Sequence, residues 1–548
     1  MRKSYYFGSA NDLDQRSFML SFGVSNLRRL KFVPPIRLKP ITILVGRNSS
    51  GKSSFLRAFP LLRQSIMTRT SSPILWYGEL IDFGSFDISR SDHAFDEPIT
   101  FSFVLDTITS TPRRFYWHPA RDLPIYSGVH FGVSIVAAGE RTRISRIHLR
   151  VDNPQVEYDI LIGEDFKVQQ LLLNGRVTTE VISDVSLQIT PGTVLPEMSV
   201  VVQSGEAEKV ARPEFEFYQS KDPFVQPLKK FIKGYTKGKL SDRALESLSD
   251  DLIELGLPDN QRILGSLGRS GPKPWQSFIR DACVNERSTA YAGLHQLLSV
   301  ASLPNLLASI RLELRSVITS TLYIGPARAR SERYYRYQDL AVSEIDPDGK
   351  NFPMFLNSLQ PYQIHQLSRW IEGLFGYGLD IDRQSAGGHM SINLVVRGIK
   401  SNIVDTGYGV SQILPVLGQI WWARNKIVRE PNPRPRVSLL AIEQPELHLH
   451  PAHQALLADA LVGEVAEKGG SNQPGINFLI ETHSETMLNR LGELISLGRI
   501  SSEDVQVVLF EALEDDEDGR VTDVRIANFN ESGELLDWPY GFFQPVVF

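Results

Sequence analysis

Residues 41–54 read Ile41-Thr42-Ile43-Leu44-Val45-Gly46-Arg47-Asn48-Ser49-Ser50-Gly51-Lys52-Ser53-Ser54. The first five are β-branched or aliphatic and predict a short buried strand. The next eight match the pattern GxxxxGK[ST], and FLRAFPLLRQS behind them has helical periodicity. A strand, a glycine-rich loop and a helix in that order make a phosphate cradle. Glycines let the backbone turn its N–H groups inward, and the helix adds its positive end. In that reading Gly46 through Ser54 contact a nucleotide, Lys52 bridges the β- and γ-phosphates, and the Ser53 hydroxyl ligates Mg²⁺.

Further strands are expected at Val437–Ile442, Ile476–Ile480 and Val505–Phe510, with helices at Ala452–Ala466 and Ser484–Leu497. Strands alternating with helices predict an α/β fold with a mostly parallel sheet. A long middle separates the two halves of this core. Residues 99–202 alternate like antiparallel strands, and 223–318 read as helical and partly basic. The expected division is 1–98 (α/β lobe with the glycine-rich loop, first part), 99–222 (β-rich), 223–319 (helical) and 320–548 (α/β lobe, second part). Asn425–Arg436 (NKIVREPNPRPR) reads as a linker.

The chain has 548 residues, 42% of them apolar and 22% charged, with a net charge of −5. Those values suit packed cores and argue against a bulk nucleic-acid coat, while leaving room for a local basic patch. One cysteine, Cys283, excludes an intrachain disulfide. The N-terminus has no apolar leader, and no unbroken apolar run reaches bilayer length. A cytoplasmic protein without a membrane partner is expected.

Three other stretches carry chemistry. The strand at 437–442 ends in Glu443-Gln444-Pro445-Glu446, with Glu443 placed to support Mg²⁺. Gln444 stands where a second acid would activate water. His483 ends the strand at 476–480 and suits a γ-phosphate contact. Asp405-Thr406-Gly407-Tyr408-Gly409-Val410-Ser411-Gln412 precedes a helix; it is either a second phosphate-grasping end or an ordinary helix start with Ser411 as N-cap. The histidines of HLHP (His448, His450) with His453 match no standard zinc spacing. Glu514–Asp518 read as a polar turn.

Together these pieces resemble the ABC-type ATPases of the SMC/RecF/OLD group. The Walker A loop is GRNSSGKSS, the signature-like segment DTGYGVSQILP, the Walker B region LLAIEQPELHLHP and the switch histidine lies in IETHSE. The resemblance implies that Glu443 takes the Walker B role and His483 the switch role. It also implies that Gly409 and Ser411 reach the γ-phosphate held by a second copy, in a homodimer or higher homo-oligomer closed over ATP. Gln64 lies too near the P-loop helix to be the Q-loop glutamine, and LIDFGSFDIS (Leu80–Ser89) occupies that place. Length, central insertion and the tail GELLDWPYGFF look most like the PtuA ATPases of Septu-type and retron-associated anti-phage systems. That likeness implies an HNH-type nuclease partner and, in retrons, a reverse transcriptase with its RNA–DNA product.

Two features could serve partners. GPARARSERYYRYQ interleaves Arg328, Arg330, Arg333 and Arg336 with tyrosines, suiting either nucleic acid or a salt-bridged surface helix. Trp538, Tyr540, Phe542 and Phe543 form an aromatic tail. A RecF-like DNA clamp is the alternative function, and a transporter's ATPase subunit is disfavoured by the missing LSGGQ. For Gln444 two readings stand. Either Glu446 bends back as base, or hydrolysis is slow and ATP mainly locks a closed dimer; the second is preferred.

Overall fold

The computed structural model describes residues 20–538 apart from 92–95, 111–123, 179–184, 203–208, 212–221, 260–262, 265–270, 284, 286–287, 337, 339–340, 385–387, 428–437, 467–474 and 513–521. Its centre is a six-stranded sheet. The order is Leu322–Ile324, Ser438–Glu443, Ile476–Glu481, Ile41–Gly46, Val505–Ala512 and Thr522–Ala527. The first five strands run parallel, and Thr522–Ala527 closes the edge antiparallel.

Every residue of Ile41–Gly46 is buried, as a parallel strand covered on both faces requires. Alternation divides the side chains between two cores. Ile41, Ile43, Val45, Leu440, Ile442, Phe478 and Ile480 pack with helices Tyr408–Ile427, Pro451–Ala466 and Glu485–Ser496. Leu44, Leu439, Ala441 and Leu479 face the P-loop helix Lys52–Met67 and the long helix Thr289–Ser320.

The β-rich middle is antiparallel, as its alternation predicts. Leu30–Arg37, Leu20–Leu27, Ile99–Thr109, Ile125–Ala138, Arg141–Asn153, Val156–Ile162, Val168–Leu173 and Arg176–Val177 form one eight-stranded sheet in that order. The strand pair before the P-loop therefore shares a sheet with residues beyond 98. Helices Val225–Thr236, Asp242–Glu254, Lys273–Ala282 and Thr289–Ser320 follow. The last of these is long and apolar enough to cross a bilayer, although no unbroken apolar run marks it in the sequence. Most of that stretch is buried inside the fold, against the P-loop helix, the eight-stranded sheet and the parallel sheet, which explains its apolar character. The buried Tyr158 hydroxyl donates to the Ser299 carbonyl at 2.8 Å, joining sheet to helix.

Between the helical insertion and the signature-like segment lies a small meander that alternation did not reveal. It pairs Tyr335–Arg336, Gly378–Gln384, His389–Val396 and Ile399–Asn402. Glu514–Asp518, Tyr540, Phe542, Phe543 and all of the expected linker from residue 428 onward lie outside the described residues; Trp538 is half-buried against the second core.

Candidate nucleotide site

The P-loop leaves its strand at Gly46 and enters its helix at Gly51, which sits at φ 96° as N-cap. A Cβ on Gly51 would lie 2.4 Å from Leu30 Cδ2, so backbone angle and space both call for glycine there. Arg47, Asn48 and Ser49 are exposed around the cradle, Ser50 and Ser54 are buried, and Ser53 is half-buried. The Thr522 hydroxyl, on the edge strand, donates to the Ser50 carbonyl at 2.7 Å and holds the loop's curvature from outside.

Lys52 is 2% exposed. Its ammonium donates to the carbonyls of Gly46 (2.9 Å) and Arg47 (2.8 Å) and lies 4.0 Å from Glu481 Oε1. Burial lowers its pKa, and Glu481 works against that. The ammonium is thus folded back on its own loop.

Glu443 ends its strand beside Glu481, and the two are register partners. The Glu443 carboxylate is fully engaged. Arg57, on the P-loop helix, donates from Nε to Oε1 and from Nη2 to Oε2, both at 2.7 Å, and the Tyr323 hydroxyl donates to Oε1 at 2.7 Å. The hydrogen-bonded carboxylate holds the Arg57 pKa well above its ordinary value. Beneath this pair Arg328 is buried, with Nη2 donating to the Glu443 carbonyl at 2.9 Å. Desolvation brings its pKa down to about 10, opposed by Glu446 and Glu443. Arg328 therefore belongs to the ATPase core and is no part of a surface patch. In the same segment Arg333 pairs with Asp405, while Arg330, Arg336 and Tyr334 are exposed. Among its described residues the segment forms no helix, and its Tyr335–Arg336 pair with Met390 and His389.

Gln444 takes φ 43° and donates its backbone N–H to the Glu481 carbonyl at 2.8 Å. Glu446 turns inward, 7% exposed; its Oε1 accepts the His483 backbone N–H at 2.7 Å, and its Oε2 is buried without a partner. Burial raises its pKa against that bond. Glu446 is thus the strut between the Walker B turn and the switch loop. The His483 side chain is exposed, and partial desolvation with the Lys52 charge holds its pKa below the ordinary 6.5.

The signature-like helix begins at Tyr408, so Gly409 and Ser411 lie inside its first turn and Ser411 is not the N-cap. The Ser411 hydroxyl donates back to the Tyr408 carbonyl at 2.7 Å. Gly409 nests on the Walker B turn: a Cβ there would lie 2.3 Å from the His448 carbonyl oxygen. Gln64 is structural; its amide pairs with the backbone of Leu75 and Ile81. Among the described residues no group of three His, Cys, Asp or Glu side chains is placed to hold a metal.

Sequence reading missed Arg57 and Glu481. Arg57 lies 386 positions from its partner, and nothing local announces the pairing. For Glu481 there was a signal: an acid at the end of a largely apolar strand, immediately before Thr482-His483.

The fold and this arrangement define the class of a P-loop ATPase. Residues 347–488 match the family described as AAA ATPase domain, a span that includes the signature-like helix, the Walker B strand and the switch loop. No curated protein matches the chain in sequence. Among solved structures the chain is similar to an SMC head domain from Thermotoga maritima, at 8% identity, covering 93% of this chain and 98% of that one, with a TM-score of 0.29. It is also similar to the recombination mediator protein RecF of the RecFOR pathway, at 10% identity, 93% and 99% coverage and a TM-score of 0.27.

Proposed function

We propose that this chain is an ATP-binding, slowly hydrolysing regulatory subunit that closes on a second copy of itself. Gly46 to Ser54 would hold the triphosphate, with the Lys52 ammonium leaving its two carbonyls for phosphate oxygens. Ser53 and a neighbouring carboxylate supply oxygen ligands suited to Mg²⁺, and the buried, partnerless Oε2 of Glu481 beside them fits a cation. Bound Mg²⁺ would neutralise charge on the phosphates during transfer. His483, kept neutral, can donate to a phosphate oxygen, and Gly409 with Ser411 would meet the nucleotide of the second copy.

The observation that carries the slow-turnover reading lies at Gln444. An amide follows directly on the strand end, and the nearby acids Glu443 and Glu446 are tied to Arg57 and to the His483 N–H. An amide orients water but does not take its proton at neutral pH. ATP binding would then set the state of the assembly, and hydrolysis would reset it.

The finer reading places this subunit in the cytoplasm, in a PtuA-like anti-phage complex. An HNH-type nuclease on a separate chain would be its effector, and in a retron setting a reverse transcriptase with its RNA–DNA product would join it. Sequence resemblance supports this. A RecF-like DNA clamp is the second reading, favoured by exposed Arg330 and Arg336 beside Tyr334. The test is light scattering with and without ATP, using Lys52→Ala as control, followed by DNA binding across a salt series. ATP-dependent dimerisation with turnover slower than dimer exchange supports the switch. Steeply salt-dependent DNA binding by the chain alone supports the clamp.

A further inference from the structure

Two carboxylates end adjacent parallel strands in register, Glu443 and Glu481. The strand of Glu481 lies between that of Glu443 and the P-loop strand. Glu481 is therefore one strand spacing closer to the phosphate cradle, about 4.8 Å. Their bonding differs as much as their position. Both oxygens of Glu443 are taken by Arg57, with Tyr323 on one of them. Glu481 is 4% exposed and its Oε2 has no partner, while the Ser53 hydroxyl acts to lower the pKa of its carboxyl.

A carboxylate oxygen sealed from water without a donor is costly, and native interiors seldom leave one so. Lys52 does not remove the deficit. It stands 4.0 Å from Oε1 while donating to two backbone carbonyls, and a move toward phosphate would take it away from Glu481. Hard divalent cations take oxygen ligands of the kind that the Ser53 hydroxyl and a carboxylate oxygen supply.

We infer that Glu481, rather than Glu443, is the carboxylate that positions the divalent cation beside the Ser53 hydroxyl, and that Glu443 is committed to orienting Arg57. The inference rests on the Mg·ATP reading above. It makes the Walker B strand a mechanical element and moves its electrostatic task to the neighbouring strand.

The test uses the full chain and ATPγS, with affinity measured in MgCl₂ and in EDTA. Wild type binds more tightly with Mg²⁺. Glu481→Gln, nearly isosteric, loses that increment by about tenfold or more, the scale on which metal sites respond to a lost supporting group. Glu481→Asp, which keeps the charge, recovers part of it. Glu443→Gln combined with Arg57→Met removes the buried pair together and retains the wild-type ratio. EPR of bound Mn²⁺ reads the same series without turnover, with Mn²⁺ retained in the double variant and lost in Glu481→Gln. The assignment is overturned if Glu481→Gln keeps the Mg²⁺ increment, or if the Glu443/Arg57 double variant loses it. Wild type that binds no ATPγS in either condition overturns the nucleotide reading itself, a different result from a misassigned acid.

Discussion

Replacing Arg57 with Met keeps the side-chain stem and removes the charge from a pair that is almost dry on one side. The Glu443 side chain is 2% exposed and that of Arg57 26%. Breaking a buried ion pair from one side typically costs about 3–5 kcal/mol, because the remaining charge is left uncompensated. Tyr323 still donates to Oε1 at 2.7 Å, and one hydrogen bond to a charged group offsets about 1.5 kcal/mol. Arg57→Met should therefore lose roughly 1.5–3.5 kcal/mol at neutral pH. Adding Glu443→Gln removes the stranded charge, and the double variant should recover most of the loss, since removing both members of such a pair is often near neutral. Urea unfolding followed by far-UV circular dichroism gives both numbers, and the midpoint shift at constant slope is the readout. A loss under about 1 kcal/mol for Arg57→Met, or a double variant as unstable as the single, would refute the reasoning, because the pair would then behave as a screened surface contact.

Three other outcomes are expected. Burial first, and the Glu443 charge with it, raise the Glu481 pKa above 4.5, against bonds from Ser53 and attraction to Lys52. An acid with a raised folded pKa contributes most below its unfolded pKa and loses that contribution as pH rises through the folded value. Without nucleotide or cation, Glu481→Gln should therefore melt above wild type at neutral pH, the gain closing as pH falls toward the ordinary carboxylate range; a pH series of thermal melts in EDTA checks this. Gln444→Glu should raise phosphate release more than Glu446→Gln lowers it, and brisk wild-type turnover abolished by Glu446→Gln would reverse the roles assigned to these residues. Gly409→Ala would press a methyl into the His448 carbonyl at 2.3 Å and should cost about 1–3 kcal/mol in chemical denaturation.

The parallel core was legible because its strands are short apolar runs that end in Gly46, Glu443 and Glu481, and because a P-loop has a fixed local grammar. The antiparallel middle was legible from alternation of period two. The edge strand Thr522–Ala527 and the three residues at Leu322–Ile324 were not, since short strands at a sheet's margins carry no periodic signal of their own. The site was half visible. Glu443 and His483 stand at or just past the ends of strands that register aligns, and Lys52 follows the loop that leaves the neighbouring strand. The partners that decide their electrostatics come from far along the chain. Arg57 meets Glu443, Arg328 reaches under the same strand end, and an arginine that looks solvated beside tyrosines proves to be interior. Charge in a sequence reports composition, and only packing reports which side of the surface it lies on.

The bond from Thr522 to Ser50 bears on where this molecule can be cut. A fragment ending soon after His483 would contain the P-loop, the signature-like segment, the Glu443 strand end and His483 itself. It would lack Val505–Ala512, the strand that pairs with Ile41–Gly46 on its outer side, and Thr522, which holds the loop. The P-loop strand would become an open edge with a row of unpaired N–H and C=O groups, an invitation to aggregation rather than to nucleotide. The smallest autonomous unit of this ATPase is therefore bounded by hydrogen-bond register, some forty residues beyond the last motif that names it.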